Sequence, residues 1–272
     1  MKKHLSTILL ALVFVIGLSL LIYPTFSDYW NSFHQSRAIA SYTDAVSNMD
    51  DDTYERMWAE AQAYNRTLIQ KSLHFDLTPE EQKEYEAKLD VSGTGMMGYV
   101  EIPSIRCTLP IYHGTNEAVL QIAIGHIEGS SLPVGGTGTH CVLSGHRGLP
   151  SAKLFTDLDQ LVEGDTFMLH VLDETLTYEV DQILIVLPEE VSALKIEEDK
   201  DLCTLVTCTP YGVNTHRMLV RGHRIANEEL GVRVTADAMQ IDPMLIAPIV
   251  AAVILVVLLI WILVKYRNKK QS

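Results

Sequence analysis

LCTLVTCTPYGVNTHRMLVRGHR, residues 202–224, reads as an apolar strand, a loop carrying proline and glycine, and a second apolar strand. Cys208 closes the first strand, and Arg217 opens the second nine residues later. A strand–loop–strand hairpin of that length sets the start of the second strand beside the end of the first. A thiol at a strand end is exposed enough to react, yet held by a rigid scaffold. A guanidinium beside a thiol favours the thiolate and can donate to a developing oxyanion. Taken singly, Cys208 also reads as a buried structural cysteine and Arg217 as a salt-bridged surface residue.

A second stretch of the same character lies upstream. HCVLSGHRG, residues 140–148, is an apolar strand closed by His146 and followed by Arg147-Gly148. Imidazole titrates near neutrality and suits proton transfer, although any one of ten histidines is more often a surface or core residue. Around these two stretches the chain from Met97 is a series of strand-length runs separated by turn residues: GYVEIP, TLPIYHG, TFMLHVL and LTYEVDQILIV join those already named. Seven or eight strands in this region imply a closed barrel or a sandwich. Asn116–Ala123 and Ser151–Leu158 read as short helices between them.

Before Met97 the character is helical. A helix from about Trp30 to Ser47 precedes one in which Tyr54, Met57, Trp58, Ala61, Asn65 and Leu68 recur at i, i+3, i+4 spacing. Asp50 to Thr53 supply cap candidates for it. Thr78-Pro79-Glu80-Glu81 starts a short helix reaching about Lys88.

The two ends are apolar. Residues 5–23 run 19 positions without a charge and residues 244–264 run 21; about 20 apolar residues in a helix cross a hydrocarbon core of ~30 Å. Lys2 and Lys3 precede the first run, and Lys265, Arg267, Lys269 and Lys270 follow the second. Basic flanks stay on the cytoplasmic side, so both ends are expected inside and residues 24–243 outside. The first run is longer than a signal-peptide core and lacks a cleavage site directly after it, which favours an uncleaved anchor. The expected organisation is therefore a tail (1–4), a span (5–23), a helical extension (24–96), a strand-rich domain (97–226), a linker (227–243), a second span (244–264) and a basic tail (265–272).

Without the six tail bases, 15 Lys+Arg face 34 Asp+Glu, a balance of −19. That argues against nucleic acid or an anionic lipid surface as partner and is compatible with a lysine-bearing one. Cys107, Cys141, Cys203 and Cys208 all lie in the outer part, without zinc-site spacing. Cys141 and Cys203 each stand five residues before His146 and Cys208. Bridging between neighbouring strands fits disulfide geometry poorly, so both are expected as free thiols.

His146, TLVTC at 204–208 and Arg217, in that order, resemble the signature of the sortase family, and the stretch 97–225 is similar to that family's pattern. GYVEIPSI (98–105), LPIYHGT (109–115) and LSGHRG (143–148) support the likeness. The apolar helix at each end and the helical extension resemble class C, the pilin-polymerising sortases. The resemblance implies a mainly β fold: an eight-stranded sortase-type barrel with short helices, a helical N-terminal extension and a transmembrane helix at each end. It implies that Cys208 attacks an LPxTG-like sorting signal of a pilin or surface protein between Thr and Gly. His146 would serve as acid and base, and Arg217 would hold the substrate backbone and the oxyanion. The acyl group would pass to a pilin lysine or, in a housekeeping enzyme, to a cell-wall precursor amine. No metal or organic cofactor is implied.

Class C sortases usually carry a lid with an Asp-Pro-aromatic motif, and none stands between residues 24 and 96. Phe75 and Asp76 come nearest, with a proline only at Pro79. The expectation is an open site and a mobile 73–96 segment; the opposing reading has Phe75 cover Cys208 and Asp76 pair with Arg217. Other cysteine proteases fit less well, since CGSCW, QACRG and GxCG are missing. A two-span surface scaffold with a merely structural Cys208 is the non-enzymatic alternative.

Overall fold

The computed structural model describes residues 2–69, 75 and 77–227. The expected second span, most of the linker and the basic tail lie outside the described residues. Helix α1 covers Lys2–Ser47 without a break, although Pro24 lies inside it, where a separate span and helix were expected. Its stretch Leu9–Ser47 contains a segment long and apolar enough to cross a membrane. Residues from Asn31 onward belong to one compact unit with the strands.

Within that unit the chain reverses after Ser47, and Asp50 caps α2 (Asp51–Leu68) by accepting from the Thr53 amide at 2.8 Å. Helix α3 (Pro79–Glu86) starts with a reciprocal capping box between Thr78 and Glu81. Tyr42, Val46, Ala61, Tyr64, Leu68 and Tyr85 point from the three helices into the same core as the strands. The extension is thus part of the fold. The Tyr85 hydroxyl, fully buried, accepts from the Gly114 amide at 3.0 Å and meets His126 Nδ1 at 2.9 Å.

The strands are β1 (Met96–Ile102), β2 (Cys107–His113), β3 (Ile124–His126), β4 (Thr139–Ser144), β5 (Thr166–Val171), β6 (Glu174–Val186), β7 (Asp201–Thr209) and β8 (His216–Arg224). They close into a barrel in the order β1-β2-β3-β4-β7-β8-β6-β5. β2 with β3 and β4 with β7 run parallel, and the other neighbours antiparallel. Closure leaves no edge strand. Of the two short helices expected between strands, one is present as α4 (Glu117–Leu120). Residues 151–157 form turns instead, with Leu154 at φ +40, which no right-handed helix accommodates.

Strand alternation sorts side chains between two clusters. Cys141, Leu143, Cys203, Leu205, Met218 and Val220 face the barrel interior. Val142, Val206 and Leu219 face out, under Leu194. Because β8 lies between β6 and β7 in the barrel, the 187–200 connection must cross it, and this crossing roofs the outer cluster.

Besides its apolar residues, helix α2 docks through one buried polar side chain. The Asn65 amide donates to Leu132 O at 3.0 Å and accepts from Leu132 N at 2.7 Å. Asn65→Ala strands both backbone groups, and a buried unpaired group costs about 1–3 kcal/mol. Urea unfolding of the variant is expected to show a loss of about 2–4 kcal/mol; a loss below half a unit would mean α2 contributes little to the barrel.

Candidate active site

Strand β7 has β4 on one side and β8 on the other, and both registers run out at the same end. Between β7 and β8, Val206 faces Leu219 and Cys208 faces Arg217. Both pairs sit on the outer face, so the apolar pair is followed by the thiol–guanidinium pair. Directly opposed side chains in an antiparallel ladder have Cβ atoms about 4.5–5.5 Å apart. The hairpin spacing therefore does what the sequence implies, and it sets Arg217 beside Cys208. The Arg217 guanidinium is braced by its own loop, donating from NH1 to Asn214 O at 3.2 Å and His216 O at 3.1 Å.

The third candidate arrives by the parallel pair. Cys141 faces Cys203 and Ser144 faces Val206, where regular pairing stops. The chain keeps its course one step further: Gly145 N donates to Val206 O at 3.0 Å, and Thr207 Oγ1 donates to Gly145 O at 2.8 Å. Continuing the same offset brings His146 level with Cys208. Gly145 is needed at this bend, because an added Cβ would stand 2.7 Å from the Phe155 ring and 2.8 Å from Ile124. His146 and Cys208 are both half-buried, within reach of solvent.

The roof has its own fastenings, and these were not foreseen. Buried His140 meets Lys195 O at 2.9 Å through Nδ1 and Thr204 Oγ1 at 2.7 Å through Nε2. Desolvation holds this imidazole below its ordinary range, so it is neutral. Arg221, opposite Thr204, forms two bonds to Asp181 at 2.9 and 3.0 Å and reaches Glu197 at 3.4 Å. Both His140 contacts span more than fifty residues, and those to Lys195 and Glu197 join the crossing loop to the strands, which no local spacing announces. The result is a buried apolar cluster on the outer face, covered by the 187–200 crossing and followed along β7 and β8 by Cys208 and Arg217.

Of the two possible lid residues, Asp76 lies outside the described residues. Phe75 packs, half-buried, on the outer cluster that contains Val206 and Leu219. Among the described residues of the segment, α3 is fastened through Tyr85.

A closed eight-stranded barrel that brings cysteine, arginine and histidine to the same level at one end of β7 belongs to the barrel-type cysteine transpeptidases as a class. Residues 100–225 match the model of the sortase domain. The fold is similar to sortase C1 from Streptococcus agalactiae, with a TM-score of 0.69 and 52% identity over 71% of this chain and 100% of that one. Sortase C from Streptococcus pneumoniae gives a TM-score of 0.63 and 44% identity over 70% of this chain and 97% of that one. Sortase D from Bacillus subtilis (strain 168) is 31% identical over 131 residues, 47% of this chain, and the match spans 63% of that relative's length. The chain belongs to the sortase family and is most like class C.

The four thiols differ in accessibility. Cys141 and Cys203 are buried, face each other and are free. Burial pushes the Cys107 thiol up to about 12, so it stays protonated near neutrality. Iodoacetamide at pH 7.5 is expected to modify Cys208 alone in the folded full-length protein. All four should react in unreduced urea, as counted by peptide mapping; a denatured count of two would reveal a Cys141–Cys203 bridge.

Proposed function

We propose that the protein is a membrane-anchored transpeptidase that joins pilin subunits. The observation that carries this reading is the strand register that sets Arg217 opposite Cys208 while the β4 offset leads His146 to the same level. In the proposed reaction, the Cys208 sulfur attacks the carbonyl carbon between Thr and Gly of an LPxTG-like signal lying against the ends of β7 and β8. Arg217 donates to the oxygen as negative charge develops there. His146 gives a proton to the leaving glycine amine, and the C–N bond breaks to leave a thioester on Cys208. An incoming amine then loses a proton to His146 and takes the acyl group, freeing the sulfur.

The acceptor we assign is a pilin lysine, giving an isopeptide bond between subunits. Two points support it: the S. pneumoniae sortase C neighbour is described by its pilin substrate specificity, and the acidic outer domain suits an amine-bearing partner. The apolar part of α1 would be the anchor, with 244–264 as a second span and both basic termini inside.

The test follows full-length protein in detergent, an LPxTG peptide and a lysine-bearing acceptor peptide. Cys208→Ala is expected to abolish product, and His146→Ala and Arg217→Ala each to lose at least about 100-fold in turnover. Near-normal turnover in either of the last two would remove its assigned role. Product formed with a cell-wall precursor amine but not with lysine would indicate the housekeeping reaction instead.

A further inference from the structure

The backbone is fastened differently on the two sides of His146. Upstream, two hydrogen bonds tie Gly145 to β7. Downstream, the backbone bonds stay within the β4–β5 connection: Phe155 N donates to His146 O at 3.1 Å, and Gly148 N donates to Thr156 Oγ1 at 3.1 Å. Without another contact, the loop that follows the histidine would be fixed to itself and not to the strand that carries the thiol.

Arg147 supplies that contact. Its NH2 pairs with Asp159, at the far end of the same connection. Its NH1 donates at 3.3 Å to Oγ1 of Thr209, the neighbour of Cys208. The guanidinium carbon lies 5.9 Å from the centre of the Tyr211 ring, in the β7–β8 loop. The same ring lies against the backbone of the next residue, since a Cβ on Gly148 would come within 2.9 Å of it. One side chain thus joins the loop after His146 to both the last residue of β7 and the loop that leads to Arg217.

The energetics favour a geometric role over a stabilising one. The Arg147 side chain is only 10% exposed, and its Nε–H is buried without an acceptor among the described residues. Burying a guanidinium costs several kcal/mol before its partners return any, and an orphaned donor adds to the cost. An apolar chain of the same length would fill the space more cheaply. What it would lack is the planar fork, which fixes direction as well as contact.

We propose that Arg147 is a positioning residue for acyl transfer, holding the His146 loop in register with the Cys208 end of β7. The inference rests on His146 and Cys208 being the acid–base and nucleophilic pair. Arg147 touches neither the substrate nor the sulfur in this account; it acts through the placement of the imidazole. A displacement of about 1 Å in such a pair can cost on the order of 100-fold in rate.

The experiment compares wild type, Arg147→Met, Arg147→Lys, Tyr211→Leu and His146→Ala as full-length proteins in detergent. Three quantities are read for each: kcat and KM on an LPxTG peptide, the pH dependence of Cys208 alkylation, and the melting temperature. Arg147→Met should lose about 10- to 100-fold in kcat with KM nearly unchanged. Its alkylation profile should move toward that of His146→Ala. Arg147→Lys keeps a charge for Asp159 but not the fork, and should recover only part of the loss. Tyr211 is 61% exposed, so Tyr211→Leu leaves the core alone and should move both readouts the same way by a smaller step. If Arg147→Met does not fold, Tyr211→Leu decides, and wild-type values for it overturn the proposal. An Arg147→Met variant that melts earlier but keeps the wild-type kcat and alkylation profile also overturns it. If His146→Ala itself matches wild type, the reading of the pair fails and the positioning role falls with it. If His146→Ala is impaired and Arg147→Met is not, the positioning role alone is wrong.

Discussion

Strand β7 hydrogen-bonds in parallel to β4 and in antiparallel to β8, and the rest of the site depends on those two registers. A slip of one residue would turn every side chain of β7 to the opposite face. Cys208 would then point into the barrel, where Cys203 and Leu205 now sit, and Arg217 would have no thiol beside it. The register is locked by burial on both sides of the sheet. Val142, Val206 and Leu219 fill the outer cluster while Cys141, Leu143, Leu205 and Val220 fill the inner one. β7 is thus buried along most of its length, and only Asp201 at its start and Cys208 near its end are half-buried. The reactive group stands where the scaffold stops and the loop begins.

Much of this was legible in the residues. Seven of the eight strands correspond to apolar runs bounded by turn residues, and the nine-residue hairpin placed Arg217 by local reasoning alone. β3 was not seen because three residues, Ile124–His126, carry no periodicity. It is nonetheless the strand that joins β2 to β4 and closes the barrel. The meeting of His146 with Cys208 was inferred from a family likeness. No spacing in the sequence says that β4 and β7, separated by two other strands in the chain, lie side by side. The equal distance from Cys141 to His146 and from Cys203 to Cys208 was a visible trace of that pairing, and the in-register Cys141–Cys203 pair accounts for it.

The readings that failed share a cause. Residues 151–157 have the apolar content of a short helix but include Leu154 in a left-handed conformation, imposed as the connection folds back under Phe155. The segment before the barrel was expected to be loose because it lacks a lid motif. Among its described residues, Tyr85 bonds His126 and Phe75 packs on the outer cluster, contacts made at long range. The roof over the outer cluster depends likewise on Glu197 reaching Arg221 and on His140 reaching Lys195 O. Tertiary partners of this kind have no signature in a window of ten or fifteen residues, which is why the roof emerged only from the fold.

The central claim is that the end of β7 carries the nucleophile of an acyl transfer. It is tested most directly by incubating the full-length protein with an LPxTG peptide in the absence of acceptor, quenching in acid, and mapping the covalent adduct by mass spectrometry. The account predicts an adduct of the peptide up to its threonine on Cys208, released by neutral hydroxylamine. Peptide cleavage with no adduct on Cys208, or an adduct on another residue, would contradict it.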